Sequence, residues 1–323
     1  MILQALKEYY DRKAADPDGD IAPLGWEKKE LPFLVVINTD GTAVGIEDTR
    51  EPVGKKLRAK SFLVPQAVKR TVGMKANLLW DDPDYALALN VKGDEAKTAE
   101  KHKLFMQRIN EEQLAEIPDV AAVLTFLGTP KKDEVLASLN PEIYDELKKA
   151  SFISFRIAGR EEPIFRNPDV VNRLSATAVA SASDTAFCLV SGTTDVIDPT
   201  HPPIKGVYGA NTTGGNIVSF NAQAFCSYGK VQGANSPIGK TASFAYTTAL
   251  NTLLGKDSKQ RLQVGDATTV FWSSRKTTIE GDFGDWFAEP PKDDPDRLTE
   301  KVAALYKSID SGTLAVDAGD TRF

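Results

Sequence analysis

Short apolar runs alternate with helical periodicities along the chain, which indicates interleaved strands and helices. Leu3–Ala15 repeats apolar residues at helical spacing and ends in the stop signal Asp16-Pro17-Asp18-Gly19. Phe33–Ile37 and Thr42–Ile46 flank an Asp-Gly turn, a pattern that predicts a β-hairpin. Leu57–Val64 alternates lysine and arginine with apolar residues, so we predict a third strand with one basic face.

The middle of the chain is predicted to be helical, with strands before and after it. Helical spacing covers Thr98–Ile117 and Asp119–Leu127, and Asn140-Pro141 is a cap for a helix to Lys149. The later predicted strands are Ser151–Ile157, Thr185–Val190, Asn216–Phe220 and Ala267–Trp272. The later predicted helices are Asn167–Ala182, Pro237–Leu254 and, after a 289–296 linker, Arg297–Ile309.

These elements predict an α+β fold in which mixed β-hairpins and sheets carry inserted helices. Three regions are expected: a β-rich region with a basic hairpin (1–93), a helical insertion (94–150) and an α+β region (151–323). The last region contains a loop rich in amides and glycines. Two cysteines in 323 residues, and the lack of a secretory or membrane-spanning segment, lead us to expect a cytoplasmic protein.

Charge is unevenly distributed, and this changes the expected partner. The net charge of −6 is opposite to the basic excess that is usual in nucleic-acid binders. However, Asp and Glu are absent from 52–80, which holds seven lysines and arginines, and from 199–256. A locally positive surface on an acidic protein can still attract a polyanion. The alternative is that 199–256 is glycine-rich, partly buried and has no need of acids.

Candidate catalytic and metal motifs are incomplete. Gly239-Lys240-Thr241 resembles the end of a phosphate-binding loop, but five residues separate Gly233 from Gly239 where the motif requires four. Cys188, His201 and Cys226 are isolated from one another, whereas structural zinc ligands usually come in close pairs. We therefore predict no enzyme activity, no metal and no cofactor, and keep a phosphate-loop ATPase as the enzyme alternative.

Two polar loops have the composition of a nucleic-acid contact. Lys69–Asn77 combines cations, a glycine and an amide, and Ser227–Pro237 combines an aromatic residue, a lysine, glycines and amides. Lysine and arginine neutralise phosphates, asparagine and glutamine can pair with base edges, and glycine lets backbone approach closely. Polar glycine-containing loops are also ordinary turns, so composition alone leaves both interpretations open.

These loops belong to a longer series of segments in which the chain resembles the large subunit of the type I-C CRISPR surveillance complex, Cascade. The segments are Met1–Leu6, Gly45–Arg50, Phe62–Gln66, Lys69–Thr71, Ala76–Asp81, Cys188–Gly192, His201–Gly206, Val218–Asn221, Ala224–Gly229, Gln232–Pro237, Phe244–Asn251 and Thr269–Trp272. The resemblance implies a longer chain whose C-terminal helical bundle is absent here, in keeping with the abrupt end at Thr321-Arg322-Phe323.

The resemblance also implies a function. The large subunit belongs to a crRNA-guided complex, recognises the protospacer-adjacent motif in duplex DNA and starts strand separation, which leads to R-loop formation in antiviral defence. The expected partners are double-stranded target DNA, crRNA, the other subunits and a separate helicase-nuclease that cleaves the target. Guide pairing then reads the target sequence, while protein reads the adjacent motif.

Residue roles are hypotheses from the chemistry of the two loops. The predicted base contacts are Asn77, Gln232 and Asn235, and Lys75 is expected to lie close to them. Predicted phosphate contacts are Lys69, Arg70 and Lys230, and Gly233 is expected to let its loop enter the groove. The alternative is a scaffold without motif readout, in which the basic segment Lys55, Lys56 and Arg58 contacts the crRNA handle or a neighbouring subunit.

Overall fold

The chain forms two compact units. The computed structural model describes residues 1–70, 73–90, 93–180, 185–211, 213–277, 280 and 321–322. The continuous unit is Gly25–Ser181, and the split unit combines Met1–Leu24 with Ala182–Phe323. The continuous unit is therefore an insertion in the sequence of the split unit. The division at 93 and 150, which was based on element type, stays a prediction.

Helices and strands are interleaved, which confirms the predicted α+β class. The helices are α1 (Ile2–Ala15), α2 (Pro83–Leu87), α3 (Glu95–Glu111), α4 (Pro118–Leu127), α5 (Lys132–Leu139), α6 (Pro141–Lys148), α7 (Pro168–Ala180) and α8 (Lys240–Leu253). The strands are β1 (Trp26–Glu30), β2 (Phe33–Ile37), β3 (Ala43–Asp48), β4 (Arg50–Val53), β5 (Lys56–Ala59), β6 (Ser61–Pro65), β7 (Trp80–Asp81), β8 (Ile153–Ile157), β9 (Thr185–Phe187), β10 (Thr194–Val196), β11 (Arg261–Val264), β12 (Ala267–Val270), β13 (Trp272–Ser273) and β14 (Thr321–Arg322).

A four-stranded sheet of order β3-β2-β8-β7 organises the continuous unit. β2 and β3 form the predicted Asp-Gly hairpin, while β2 and β8 are parallel, with Phe33 opposite Ile153. A parallel pair needs a long crossover, and the helices α2–α6 lie in the connection between these strands. The apolar run of β2 is almost wholly buried, as expected for a central strand.

The predicted basic strand Leu57–Val64 is wrong as a single element. It is divided at Lys60, where β5 ends its pairing with β4 and the chain begins to pair with β1 as β6. The Lys60 N–H donates to the Thr49 carbonyl, and its carbonyl accepts from the Leu31 N–H. The basic alternation therefore belongs to the β4–β5 hairpin, and Phe62–Val64 packs in another sheet.

The split unit is built on the packing of α1 against α8. Leu6 is buried, and the ring of Tyr10 meets that of Phe244 edge-on at 5.7 Å. The predicted strand Asn216–Phe220 is irregular chain, and the nearby bridge pairs Ile204 with Gly215. The predicted strand Ala267–Trp272 is divided between β12 and β13. The predicted linker 289–296 and helix Arg297–Ile309 lie outside the described residues.

Among the residues that the structure describes, no helix has both the length and the apolar character needed to cross a bilayer.

Candidate nucleic-acid interface

An ion pair anchors the first candidate loop, which we call loop A (residues 69–81, described except for 71 and 72). The Arg70 guanidinium contacts the Asp81 carboxylate, and its Nε donates to the Lys75 carbonyl at 2.7 Å. It also lies 4.3 Å from the centre of the Tyr85 ring. The Asp81 side chain is fully buried and accepts a second hydrogen bond from the Asn77 N–H at 2.8 Å. Arg70 therefore joins the two ends of loop A.

Burial of the Arg70–Asp81 pair opposes the charged form of the Asp81 carboxyl. It raises the pKa of the Asp81 carboxyl, and the hydrogen bond and charge of Arg70 act in the opposite direction without cancelling it. A buried carboxylate depends on such a partner, because desolvation opposes its charge. Within loop A, we therefore assign Arg70 first to the stability of the loop.

Loop A separates the predicted contact residues into two groups. Asn77 is only 3% exposed, and its Oδ1 accepts from the Val68 N–H at 3.0 Å. In this conformation a base edge cannot reach Asn77, so we assign its amide to the fold of loop A. Lys75 is exposed and Lys69 is partly exposed, as a phosphate contact requires.

A side-chain amide closes the second candidate loop, which we call loop B (Ser227–Pro237). Asn235 Oδ1 accepts from the Ser227 N–H at 3.0 Å. Its Nδ2 donates to the carbonyls of Gln232 at 3.1 Å and Lys230 at 3.3 Å. Because its amide is engaged on both sides, Asn235 holds loop B together and has little capacity left to read a base.

Gly233 anchors loop B to the chain at 198–199. Its N–H donates to the Pro199 carbonyl at 3.0 Å, and a Cβ here would lie 2.2 Å from the Asp198 carbonyl oxygen. Gly233 is buried. Close packing within the split unit therefore explains this glycine without entry into a DNA groove. Lys230 and Gln232 are exposed, as their predicted roles require.

Carboxylates occupy the N-terminus of α8, where the phosphate-loop alternative would place a nucleotide. Asp195 Oδ2 accepts from the Thr241 N–H at 3.0 Å, and Asp198 Oδ2 accepts from the Ser243 hydroxyl at 2.6 Å. A Cβ on Gly239 would lie 2.3 Å from Asp195 Oδ2. A phosphate at this position would meet negative charge, so the geometry argues against that alternative.

We expect Asp195→Ala to lower the free energy of unfolding by about 0.5–2 kcal/mol, because the first turn of α8 loses its cap. Urea denaturation followed by circular dichroism measures this loss. The control is Lys240→Ala on the same turn, where the side chain is exposed and a change within about 0.5 kcal/mol is expected. A greater loss for Lys240→Ala would contradict this account of α8.

Cys188 and His201 make hydrogen bonds within the fold. Hydrogen bonds from Ser191 and Gly239 outweigh the effect of burial on Cys188, so the pKa of its thiol lies below the ordinary value. His201 Nδ1 lies 2.6 Å from the Tyr246 hydroxyl. In the described part of the chain, no three His, Cys, Asp or Glu side chains come together as a metal site.

The β4–β5 hairpin exposes both charge and apolar surface. Val53 is 57% exposed and Leu57 is 58% exposed, and Lys55 and Lys56 are exposed at the turn. Arg58 Nε donates to Glu30 Oε1 at 3.0 Å. A two-stranded hairpin is only marginally stable by itself, because it buries little apolar surface. Apolar side chains left exposed on such a hairpin indicate a surface that contacts another molecule.

Comparison with known families agrees with the sequence resemblance. The sequence model of the family described as CRISPR-associated protein (Cas_Csd1) matches residues 6–323. The chain belongs to this family. It is the family of the type I-C large subunit, which confirms the resemblance to Cascade. No curated protein matches the chain.

Backbone conformation in this Csd1-family chain marks residues that composition did not single out. Leu79, Tyr228 and Gln232 have positive φ angles of 64°, 52° and 49°. They are three of five such non-glycine residues in the described regions, and all three lie in loop A or loop B. Residues held in such conformations cluster at functional sites. The dipeptide Tyr228-Gly229 carries a turn signal, but the exposure of its ring depends on the tertiary structure.

Proposed function

We propose that this chain is the non-catalytic large subunit of a crRNA-guided type I-C complex that recognises the protospacer-adjacent motif in duplex DNA. In this proposal it promotes strand separation and R-loop formation for antiviral defence. Its partners are crRNA, the other subunits of the complex, double-stranded target DNA and a recruited helicase-nuclease. No cofactor or metal takes part. Family membership supports the complex, and loop B supports the DNA contact.

The observation that carries the DNA contact is the internal closure of loop B. Asn235 and Gly233 are bonded within the split unit, while Lys230 and Gln232 are exposed on the loop that they hold. A held loop loses little conformational entropy when it binds. The segment 199–256, to which loop B belongs, contains no Asp or Glu, and the nearby Asp198 carboxylate accepts a hydrogen bond from the Ser243 hydroxyl. Gln232 is therefore the proposed base contact and Lys230 the proposed phosphate contact.

Gln232→Ala is expected to lower the preference for motif over scrambled DNA by about 1–3 kcal/mol, because one base contact is lost. The measurement is a titration of the assembled crRNA complex with matched-target duplexes that differ only in the motif. Gln223→Ala is the matched control, since Gln223 is an exposed glutamine outside loop B. Equal losses on motif and scrambled DNA would remove Gln232 as a base contact.

Loss of a lysine–phosphate contact is expected to change DNA binding in a different way from loss of a base contact. Lys75→Ala and Lys230→Ala are each expected to weaken binding to all duplexes alike and to lower the slope of log affinity against log salt by about one. Lys131→Ala is the control, because Lys131 is exposed and pairs with Glu134 on α5. A slope unchanged from that of the unaltered complex would exclude the lysine concerned from phosphate binding.

The β4–β5 hairpin supports the scaffold alternative as a second role. Its exposed Leu57 and its lysines suit an RNA or subunit surface better than base recognition, for which it offers no amide. We propose that Lys55, Lys56 and Arg58 contact the crRNA handle or a neighbouring subunit. Crosslinks from Lys55 or Lys56 to RNA or protein support this role, and crosslinks to target DNA alone would contradict it.

A further inference from the structure

A fully exposed tyrosine lies at the tip of loop B. Tyr228 is 98% exposed, and its φ of 52° is followed by a φ of 69° at Gly229. The Lys230 N–H donates to the Ser227 carbonyl at 3.0 Å, which closes a four-residue turn. Positive φ at both central positions is the mark of a type I′ turn. That turn favours Asn, Asp or Gly at the position of Tyr228, so local preference does not explain an aromatic residue.

Packing against the described residues does not explain the ring either. A tyrosine usually contributes to stability by burying its ring, and Tyr228 remains almost wholly in solvent. The backbone that carries the ring is nevertheless held, because Asn235 bonds to both ends of the turn, at the Ser227 N–H and the Lys230 carbonyl. The fold thus presents an unused aromatic face on a braced turn.

The surroundings of Tyr228 indicate the kind of ligand. Lys230 is exposed two residues away, and the segment 199–256 has no Asp or Glu. An aromatic face beside a cation is the combination that binds unpaired nucleic acid, since the ring stacks on a base and the cation neutralises the phosphate. Exposed tyrosines also anchor protein interfaces. The charge pattern favours the nucleic acid.

We propose that Tyr228 stacks on a nucleobase that has left the duplex next to the motif, and that Asn235 is the residue that positions it. This inference rests on the proposed function and extends it. The base contact of Gln232 and the phosphate contact of Lys230 do not involve the Tyr228 ring, so stacking is an additional contact. Every base offers a flat face, so this contact stabilises separated strands without reading their sequence. Motif choice remains with Gln232.

The test uses the assembled crRNA complex and three duplexes that carry the motif. One has a matched target, the second has a target that the guide cannot pair with, and the third is matched and already unpaired beside the motif. We expect Tyr228→Ala to weaken binding to the first and third by about 5- to 150-fold and to leave binding to the second unchanged. Tyr228→Phe keeps the ring and is expected to bind as the unaltered complex does.

Tyr228→Asn is the matched control for the turn. Asparagine is favoured at this position, so a loss equal to that of Tyr228→Ala is attributable to the missing ring and not to a broken turn. Asn235→Ala tests the positioning role. In that background Tyr228→Ala is expected to cost less than it does alone, because the ring is already misplaced.

Three results would overturn the inference. Binding by Tyr228→Ala equal to that of the unaltered complex on all three duplexes would show that the ring has no role. An equal loss on the unpairable target would indicate a groove contact with paired DNA. Failure of Tyr228→Ala to assemble, seen by size exclusion, would indicate a subunit contact. The unaltered complex is also titrated with DNA in which the motif is scrambled. If it prefers motif DNA, the proposed function stands whichever of these three results is found. If it shows no preference, the proposed function itself is refuted.

Discussion

Replacing Arg70 by alanine is expected to lower the free energy of unfolding of the continuous unit by about 3–5 kcal/mol, because it leaves a buried charge without its partner. The Asp81 side chain has no exposure, and after the change its carboxylate keeps the backbone N–H donors of Asn77 and Asp82. Loop A also loses the bond from Arg70 Nε to the Lys75 carbonyl. Urea denaturation followed by circular dichroism measures the loss.

Two further variants define the meaning of this result. Arg58→Ala removes a pair with Glu30 in which the side chains are 41% and 45% exposed, so a cost below about 1 kcal/mol is expected. Arg70→Lys keeps the charge but not the planar fork, and we expect an intermediate loss. If Arg70→Ala unfolds at the unaltered urea concentration and instead lowers the salt slope of DNA binding, Arg70 is a phosphate contact as the sequence suggested.

Replacing Gly233 by alanine is expected to cost about 1–3 kcal/mol and to displace loop B. The added Cβ would lie 2.2 Å from the Asp198 carbonyl oxygen and 3.1 Å from Pro199 Cα. These are backbone atoms, so the contact cannot be relieved by moving a flexible side chain. The bond from the Gly233 N–H to the Pro199 carbonyl would stretch or break. Because Gln232 is the preceding residue, motif preference is expected to fall together with stability.

Gly215→Ala is the matched control for this change. Gly215 lies in the same acid-free segment, and a Cβ there has no atom within 4 Å. Its unfolding midpoint and its motif preference are expected to stay near those of the unaltered protein. If Gly233→Ala keeps full stability but loses affinity for every duplex, the glycine serves close approach to DNA, and the packing explanation is incorrect.

Local signals predicted much of the fold. The Asp-Gly hairpin of β2 and β3 and the Asn140 cap of α6 follow from residues adjacent in sequence, and both predictions are confirmed. The division of Leu57–Val64 at Lys60 could not be predicted in the same way. It depends on pairing with β1, about thirty residues earlier in the chain, and strand pairing of this kind leaves no local mark.

The candidate site shows the same limit at the level of side chains. Lys75 and Asn77 are both polar residues of one loop, and sequence gives no reason to separate them. The structure exposes Lys75 and buries Asn77, because the loop closes around the Arg70–Asp81 pair. Asn235 was predicted as a base contact because it is an amide in a polar loop. The sequence cannot distinguish an amide that holds a loop together from one that binds a ligand.

The continuous unit is inserted between the two segments of the split unit, and this affects the order in which the protein folds in the cell. α1 is made before α8, and the chain must continue through residues 16–239 before synthesis of α8 begins. At about 5–20 residues per second this takes roughly 10–45 s, and the continuous unit can fold during that interval. The apolar face of α1, with Leu3, Leu6, Tyr9 and Tyr10, has no α8 to cover it in the meantime. α1 therefore stays without its partner helix long after it has been made, and it is a segment we expect nascent-chain chaperones to hold.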